Sequence, residues 1–229
     1  METGAGGKQA PVTLEAVRAH PRVGAFIRQA DAHLAALGFT EHGERHCSLV
    51  ANIAHNVVAR LGYSPREAEL AAIAGYTHDI GNVVGRAGHA LTGAVLMAPI
   101  LDELGMPPHE AAIILGAIGN HEEAHGHPVN RVSAALILAD KSDVHRTRVR
   151  NRDPATFDIH DRVNYAVVRS FLHVDGSARA ITLELTIEQQ ATSVMEYFEI
   201  FLQRMIMCRR AAEFLGCRFH LVANGARLA

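Results

Sequence analysis

Six residues of metal-ligating type are strung along one half of this chain, and any fold it adopts must account for them. His46 lies in GERHC, His78 and Asp79 in THDIGN, His89 in AGHALTGA, His121 in GNHEE and Asp140 in LADKSD. Each stands at or near a predicted helix end or on an apolar helix. A bundle of short helices whose ends converge would gather them into one pocket. There, neutral imidazoles and carboxylates bind a hard or borderline divalent cation. With 15 histidines in the chain, an isolated His-Asp pair says little. The ordered series H…HD…H…H…D is far more specific.

Six ligands exceed what one tetrahedral ion needs, and the two aspartates offset only part of the charge of two divalent ions. The set therefore suits two metals that keep open positions. One Asp could bridge them, and a shared water would become a nucleophile near neutral pH. With nitrogen and oxygen donors and no sulfur, Fe, Mn, Co, Ni or Mg is favoured over structural zinc.

The pattern from about 12 to 150 is helical throughout. Residues 21–37 open with Pro21 and close with Gly38 nearby. In HCSLVANIAHNVVARLG, Leu49, Ile53, Val57 and Leu61 recur every four residues, which predicts one apolar stripe. Ser64-Pro65 with Glu67 has capping-box spacing and starts a helix expected to end at Gly81. Further helices are predicted from His89 to about Leu104, from Pro107-Pro108 to Asn120-His121, and from about Val129 to Val149. After Asp153-Pro154 come a short helix near 159–167 and two strand-like runs around Asp175-Gly176. In the second run Ile181, Leu183, Leu185 and Ile187 alternate with polar residues. A long helix over about 191–215 and a last strand, CRFHLVAN, complete the tail. The expected organisation is a disordered stretch at 1–11, a helical metal-binding domain at 12–153 and a small α+β subdomain at 154–229. The fold class is mainly α.

A formal net charge of -2 predicts no duplex nucleic-acid partner. Three cysteines without paired spacing suggest neither a disulfide framework nor a thiolate zinc site. No segment approaches a membrane span and no leader pattern is visible, so a cytoplasmic protein without membrane association is expected. The apolar helix and edge strands of the tail predict a homodimer through it.

The residues His46, His78-Asp79, His89, His121 and Asp140 resemble the HD-domain superfamily of metal-dependent phosphohydrolases over roughly residues 25–150, and THDIGN is similar to its HDIG variant. NHEEAHGHP followed by LADKSDVHRTRVR is distantly similar to parts of the HD-GYP phosphodiesterases, with Asn82 standing where a Lys usually follows HDIG. The resemblance implies an HD helical bundle. It implies a first metal on His46, His78, Asp79 and Asp140, a second on His89 and His121, and Asp79 as the bridge, with Fe or Mn the leading cofactors. The implied reaction is hydrolysis of a phosphomonoester or phosphodiester, nucleotides being a candidate class, by a metal-bridged hydroxide. Lys141 is the candidate for steadying charge in that reaction and, with Arg146, Arg148 and Arg150, for binding phosphate. A solvated helix face is the competing reading for these cations. His42, one turn before His46, reads as a solvated helix residue. Glu122 and Glu123 read equally as orienting partners of the imidazoles or as surface charges. The same ligand series also serves mixed-valent di-iron oxygenases resembling myo-inositol oxygenase, and a non-enzymatic nucleotide sensor is a third reading.

Overall fold

In the computed structural model, residues 10–188 and 194–228 are described; most of the stretch expected to be disordered, 1–9, lies outside them. The order is α1 (Leu14–Ala19), α2 (Pro21–Ala36), α3 (Glu44–Arg60), α4 (Pro65–Thr77), α5 (His89–Glu103), α6 (Pro108–Gly119), α7 (Arg131–Ser142) and α8 (Ile159–Ala166). Strands β1 (Val167–Asp175) and β2 (Ala180–Ile187), helix α9 (Val194–Phe214), and strands β3 (Arg218–Ala223) and β4 (Ala226–Arg227) follow. The chain is mainly α, an HD helical domain with a small α+β tail.

Helix α4 starts as its sequence dictates. Ser64 Oγ accepts from Glu67 N at 3.2 Å, and the Glu67 carboxylate accepts from Ser64 N at 3.2 Å. It stops at Thr77 rather than Gly81, and Ile80–Val83 form a 3-10 turn. The buried face of α3 runs through His46, Cys47, Val50, Ala51, Ala54, Val57 and Val58. Leu49 and Ile53 are only half-buried. The physical reason is periodicity: a strict four-residue spacing overshoots the 3.6-residue turn and drifts off one face. Helices α3 and α4 approach closely because Gly75 has no side chain; a Cβ there would lie 2.8 Å from Ala51 Cα. That contact sets His46 beside His78.

Helix α7 also ends early, at Ser142 instead of Val149. Arg148 turns inward, and its backbone pairs with the segment before α3, where Glu41 N donates to Arg148 O at 2.8 Å. These tertiary bonds outweigh local helix propensity.

The sheet order is β1-β2-β3-β4, with β1 antiparallel and β3 parallel to β2. A parallel pair needs a crossover, which α9 supplies. Strand β2 buries Ile181, Leu183, Leu185 and Ile187 as its alternation predicts. Helix α9 packs on α7, so tail and helical part share one core. Among the described residues no helix is long and apolar enough to cross a membrane.

Candidate metal centre

Helix ends place every ligand. His46 sits in the first turn of α3, and His78 caps the C-terminus of α4. Asp79 precedes the 3-10 turn, and His89 opens α5. His121 follows the C-terminus of α6, and Asp140 lies in the last turn of α7. Helix C-termini leave carbonyls without intrahelical partners. Two histidines use such carbonyls three residues back: His78 Nδ1 lies 2.8 Å from Gly75 O and His121 Nδ1 2.6 Å from Ile118 O. His89 Nδ1 uses a loop carbonyl, Arg86 O, at 3.0 Å. His46, at a helix start, has no such carbonyl and bonds the buried Asp143 carboxylate at 2.7 Å. In each ring the acceptor holds a proton on Nδ1, so every ring that is neutral presents its Nε2 lone pair inward.

Those atoms converge. His46 Nε2 lies 3.2 Å from His78 Nε2, and each of these two atoms lies 3.2 to 3.6 Å from Asp79 Oδ2 and from Asp140 Oδ1. Ligand atoms sharing an ion with bonds of about 2.0–2.2 Å stand roughly 3–3.5 Å apart, so the donor set fits a cation. The other oxygen of Asp79 faces a different pair: Oδ1 lies 3.4 Å from His89 Nε2 and 3.9 Å from His121 Nε2. Those two Nε2 atoms are 3.1 Å apart. The groups His46, His78, Asp140 and His78, Asp79, His121 could each hold a metal ion.

Electrostatics sharpens this fit. Burial opposes charging His78, but the Asp79 and Asp140 carboxylates outweigh it and raise its pKa to about 10. A proton on His78 can therefore relieve its contact with His46. No such relief exists for the second pair. Burial, then His78 and His89, push His121 down to about 3, and burial lowers His89 as well. Two neutral rings, both protonated on Nδ1, thus point lone pairs at each other across 3.1 Å. A cation is the natural partner for both.

The surrounding side chains hold the ligands in place. Asn82 Nδ2 donates to Asp79 Oδ1 at 2.9 Å, and Arg45 donates to Asp143 at 2.9 Å. Burial would raise the Asp79 carboxyl, but His78 keeps it well below the usual range. Buried Lys141 donates to Asp140 Oδ2 at 2.7 Å and pairs with Glu123 at 3.0 Å. Burial would lower the Lys141 pKa, yet these two carboxylates raise it. Glu123, also paired with Arg204 at 2.9 Å, sits at about 2: burial would raise it, and Lys141 and Arg204 prevail. Glu122 lies 3.7 Å from His89 Nδ1.

Other residues sit where the sequence did not suggest. Arg146 pairs with Glu188 at 2.8 Å and Arg150 with Asp31, so neither reaches the cluster. Arg148 borders the cluster, but its donors go to Glu41 O and Asp143 O. His42 is no solvated helix residue. It lies in the loop before α3, with its ring 5.5 Å from that of His46, and borders the ligand recess. Four residues there escaped sequence reasoning: Asn82, Arg86, Asp143 and Arg204. Only Asp143 carried a signal, standing three residues after Asp140. Arg86 lies 3.9 Å from Asp79 Oδ1 and over the Phe39 ring.

The family model for the HD domain matches residues 43–191, more than half of the chain and all six candidate ligands. No curated protein matches it. Proteins of this family are generally metal-dependent phosphohydrolases. The matched span and the convergent His/Asp cluster lead to one assignment: the chain belongs to the HD-domain family.

Proposed function

We propose that the protein is a metal-dependent phosphohydrolase that cleaves a phosphomonoester or phosphodiester, nucleotides included, at a binuclear centre. The carrying observation is Asp79, whose two oxygens face separate histidine pairs. Its position matches what a bridge between two cations requires. Fe or Mn fits a donor set without sulfur, with Mg, Co or Ni as further candidates. When bound, such cations supply Lewis-acid charge toward phosphate oxygens and lower the pKa of water.

The chain's own residues supply the rest. Asn82 fixes the rotation of the Asp79 carboxylate, and Asp143 fixes that of the His46 ring. Arg86 borders the recess, donates to Asn82 Oδ1 at 3.4 Å and has no carboxylate closer than 3.9 Å among the described residues, which leaves guanidinium donors for a phosphate oxygen. Lys141 has spent two of its three donors on Asp140 and Glu123 and can turn the third toward developing negative charge.

The test is turnover of bis-p-nitrophenyl phosphate and a nucleotide panel by protein loaded separately with Mn, Fe, Co, Ni and Mg, with Asp79→Ala as the control. Hydrolysis that disappears in the variant supports the reading. No turnover with any cation overturns it. Iron with a mixed-valent EPR signal and oxygen uptake would reassign the same ligands to an oxygenase. Nucleotide binding without turnover, unaffected by Asp79→Ala, would mark a sensor.

A further inference from the structure

Outward from the ligands, the walls open into a cavity of about 310 Å³. It shares His42, Arg86, Arg148 and Arg204 with the small polar recess bordered by Asp79, His89, His121 and Asp140. A phosphoryl group seated at the ligands would therefore project its organic part into this space. A cavity of comparable size, about 320 Å³, lies between α3 and β1 beyond Asp143, but the metal ligands do not line it.

The two ends of the 310 Å³ cavity differ in sign. The inner end carries Arg86 and Arg204, each stacked on an aromatic ring, Phe39 and Phe201 respectively. The outer end carries Asp158, Asp161 and Asn164 at the start of α8. Asp158 Oδ1 accepts from Asp161 N at 2.7 Å, the α8 cap. Among the described residues neither carboxylate takes part in an ion pair. Asn164 is only 5 % exposed, and its Nδ2 is spent on His160 O at 2.9 Å. Its Oδ1 has no donor among the described residues. Asn164 lines the cavity, and that oxygen is not sealed from solvent, so it can accept from a ligand that donates. His160 aside, this end offers acceptors and negative charge; Leu37, Phe39 and Phe201 form apolar wall between the ends.

We propose that this cavity selects organophosphates whose organic part carries an amino group. The phosphate lies at the Arg86–Arg204 end and the amino group at the Asp158–Asp161–Asn164 end. The volume suits ligands from an aminoalkyl phosphate to an amino-bearing nucleoside monophosphate. The seating of the phosphate rests on the phosphohydrolase reading; the polarity of the cavity does not.

Two matched pairs test it: 2-aminoethyl phosphate against ethyl phosphate, and adenosine 5′-monophosphate against purine riboside 5′-monophosphate. Both are measured with Mn-loaded full-length protein, by turnover and by calorimetric Kd. The amino member is expected to lead by about tenfold or more in one pair, the gain of a charge-assisted hydrogen bond, and that pair names the source. Asp161→Asn and Asp158→Asn should bring the ratio toward one, a change that partial misfolding cannot mimic because a ratio cancels the active fraction. Asn at 158 retains a capping oxygen, which protects α8. Equal handling within both pairs overturns the proposal. If nothing is hydrolysed, the phosphohydrolase reading fails, and the Kd ratios decide separately. An Asp161-dependent amino preference then upholds the cavity assignment; no preference, or no binding, overturns it.

Discussion

Among the four candidate histidines, His46 is oriented at Nδ1 by a side chain where the others use a backbone carbonyl, and replacing Asp143 by Asn isolates that contact. Oδ2 accepts from His46 Nδ1 at 2.7 Å and from Arg45 at 2.9 Å, and Arg148 Nε stands at 3.7 Å. Burial would raise the Asp143 pKa, but Arg148, His46 and Arg45 hold it far below the usual carboxylate range. An amide oxygen in the place of Oδ2 is neutral, so its contacts with these donors lose their charge assistance. Loss of an orienting partner of this kind weakens metal binding by about 10–100-fold, roughly 1.4–2.7 kcal/mol. Charge-assisted hydrogen bonds contribute about 1.5–3 kcal/mol each, and the Arg45 bond is discounted because that side chain is 39% exposed. The metal-free variant should therefore lose about 2–3 kcal/mol, lowering Tm by about 4–12 °C for a chain of this size. The sign with pH follows from the depressed carboxyl. Its contribution is complete above the unfolded pKa near 4 and fades as pH falls through the folded value. The Tm gap between wild type and variant should hold from neutral pH to about 4 and close below it. Scanning fluorimetry without metal and a chelator-competition titration with Mn read the two effects. A folded variant that binds Mn within twofold of wild type would refute the argument that Asp143 aims His46.

Gly81→Ala should disrupt the centre without touching a ligand. A Cβ at Gly81 would lie 1.9 Å from His89 O and 2.5 Å from Gly93 N, so the 3-10 turn and α5 must separate. We expect a loss at or beyond the upper end of the about 1–3 kcal/mol typical of overpacking, with weakened Mn binding, read by melting and titration; a wild-type Tm would contradict it. Because His78 is raised to about 10, its proton stabilises the metal-free fold below the unfolded value near 6.5, and that stabilisation is lost as pH rises through 10. A metal binding at pH 8 must displace this proton, so calorimetry in buffers of different ionisation enthalpy should register about one proton released per site filled at His78; none released would be inconsistent with ligation there. Arg86→Ala should raise KM for a phosphorylated substrate about tenfold or more, whereas Arg146→Ala, whose partner is Glu188, should leave KM within about twofold. Equal effects would return the phosphate-binding role to the basic stretch after Asp140.

What could be read from the sequence was what local chemistry writes locally. Ser64 and Glu67 announce the start of α4, and the alternation from Ile181 to Ile187 announces β2, because both signals act within a few residues. The candidate ligands were legible for a related reason: each lies at or near a helix end, His78 and His121 find an orphan carbonyl three residues back there, and a short motif such as THDIG records the geometry. The errors share an opposite cause. Val129–Val149 reads as one helix, yet it breaks after Ser142 because Arg148 bonds Glu41 O and the Asp143 carbonyl, partners the local pattern cannot specify. Once the helix breaks, Arg146 and Arg150 turn to Glu188 and Asp31, and Arg148 turns to the segment before α3. Arg86 and Arg204 reach the recess from a loop and from α9, elements that meet only after the tail folds back along α7. A ligand set is therefore visible as a motif when the metal imposes its spacing on helix ends. The residues that choose the substrate come from wherever packing delivers them, and in this chain packing delivers much of that wall from α8 and α9.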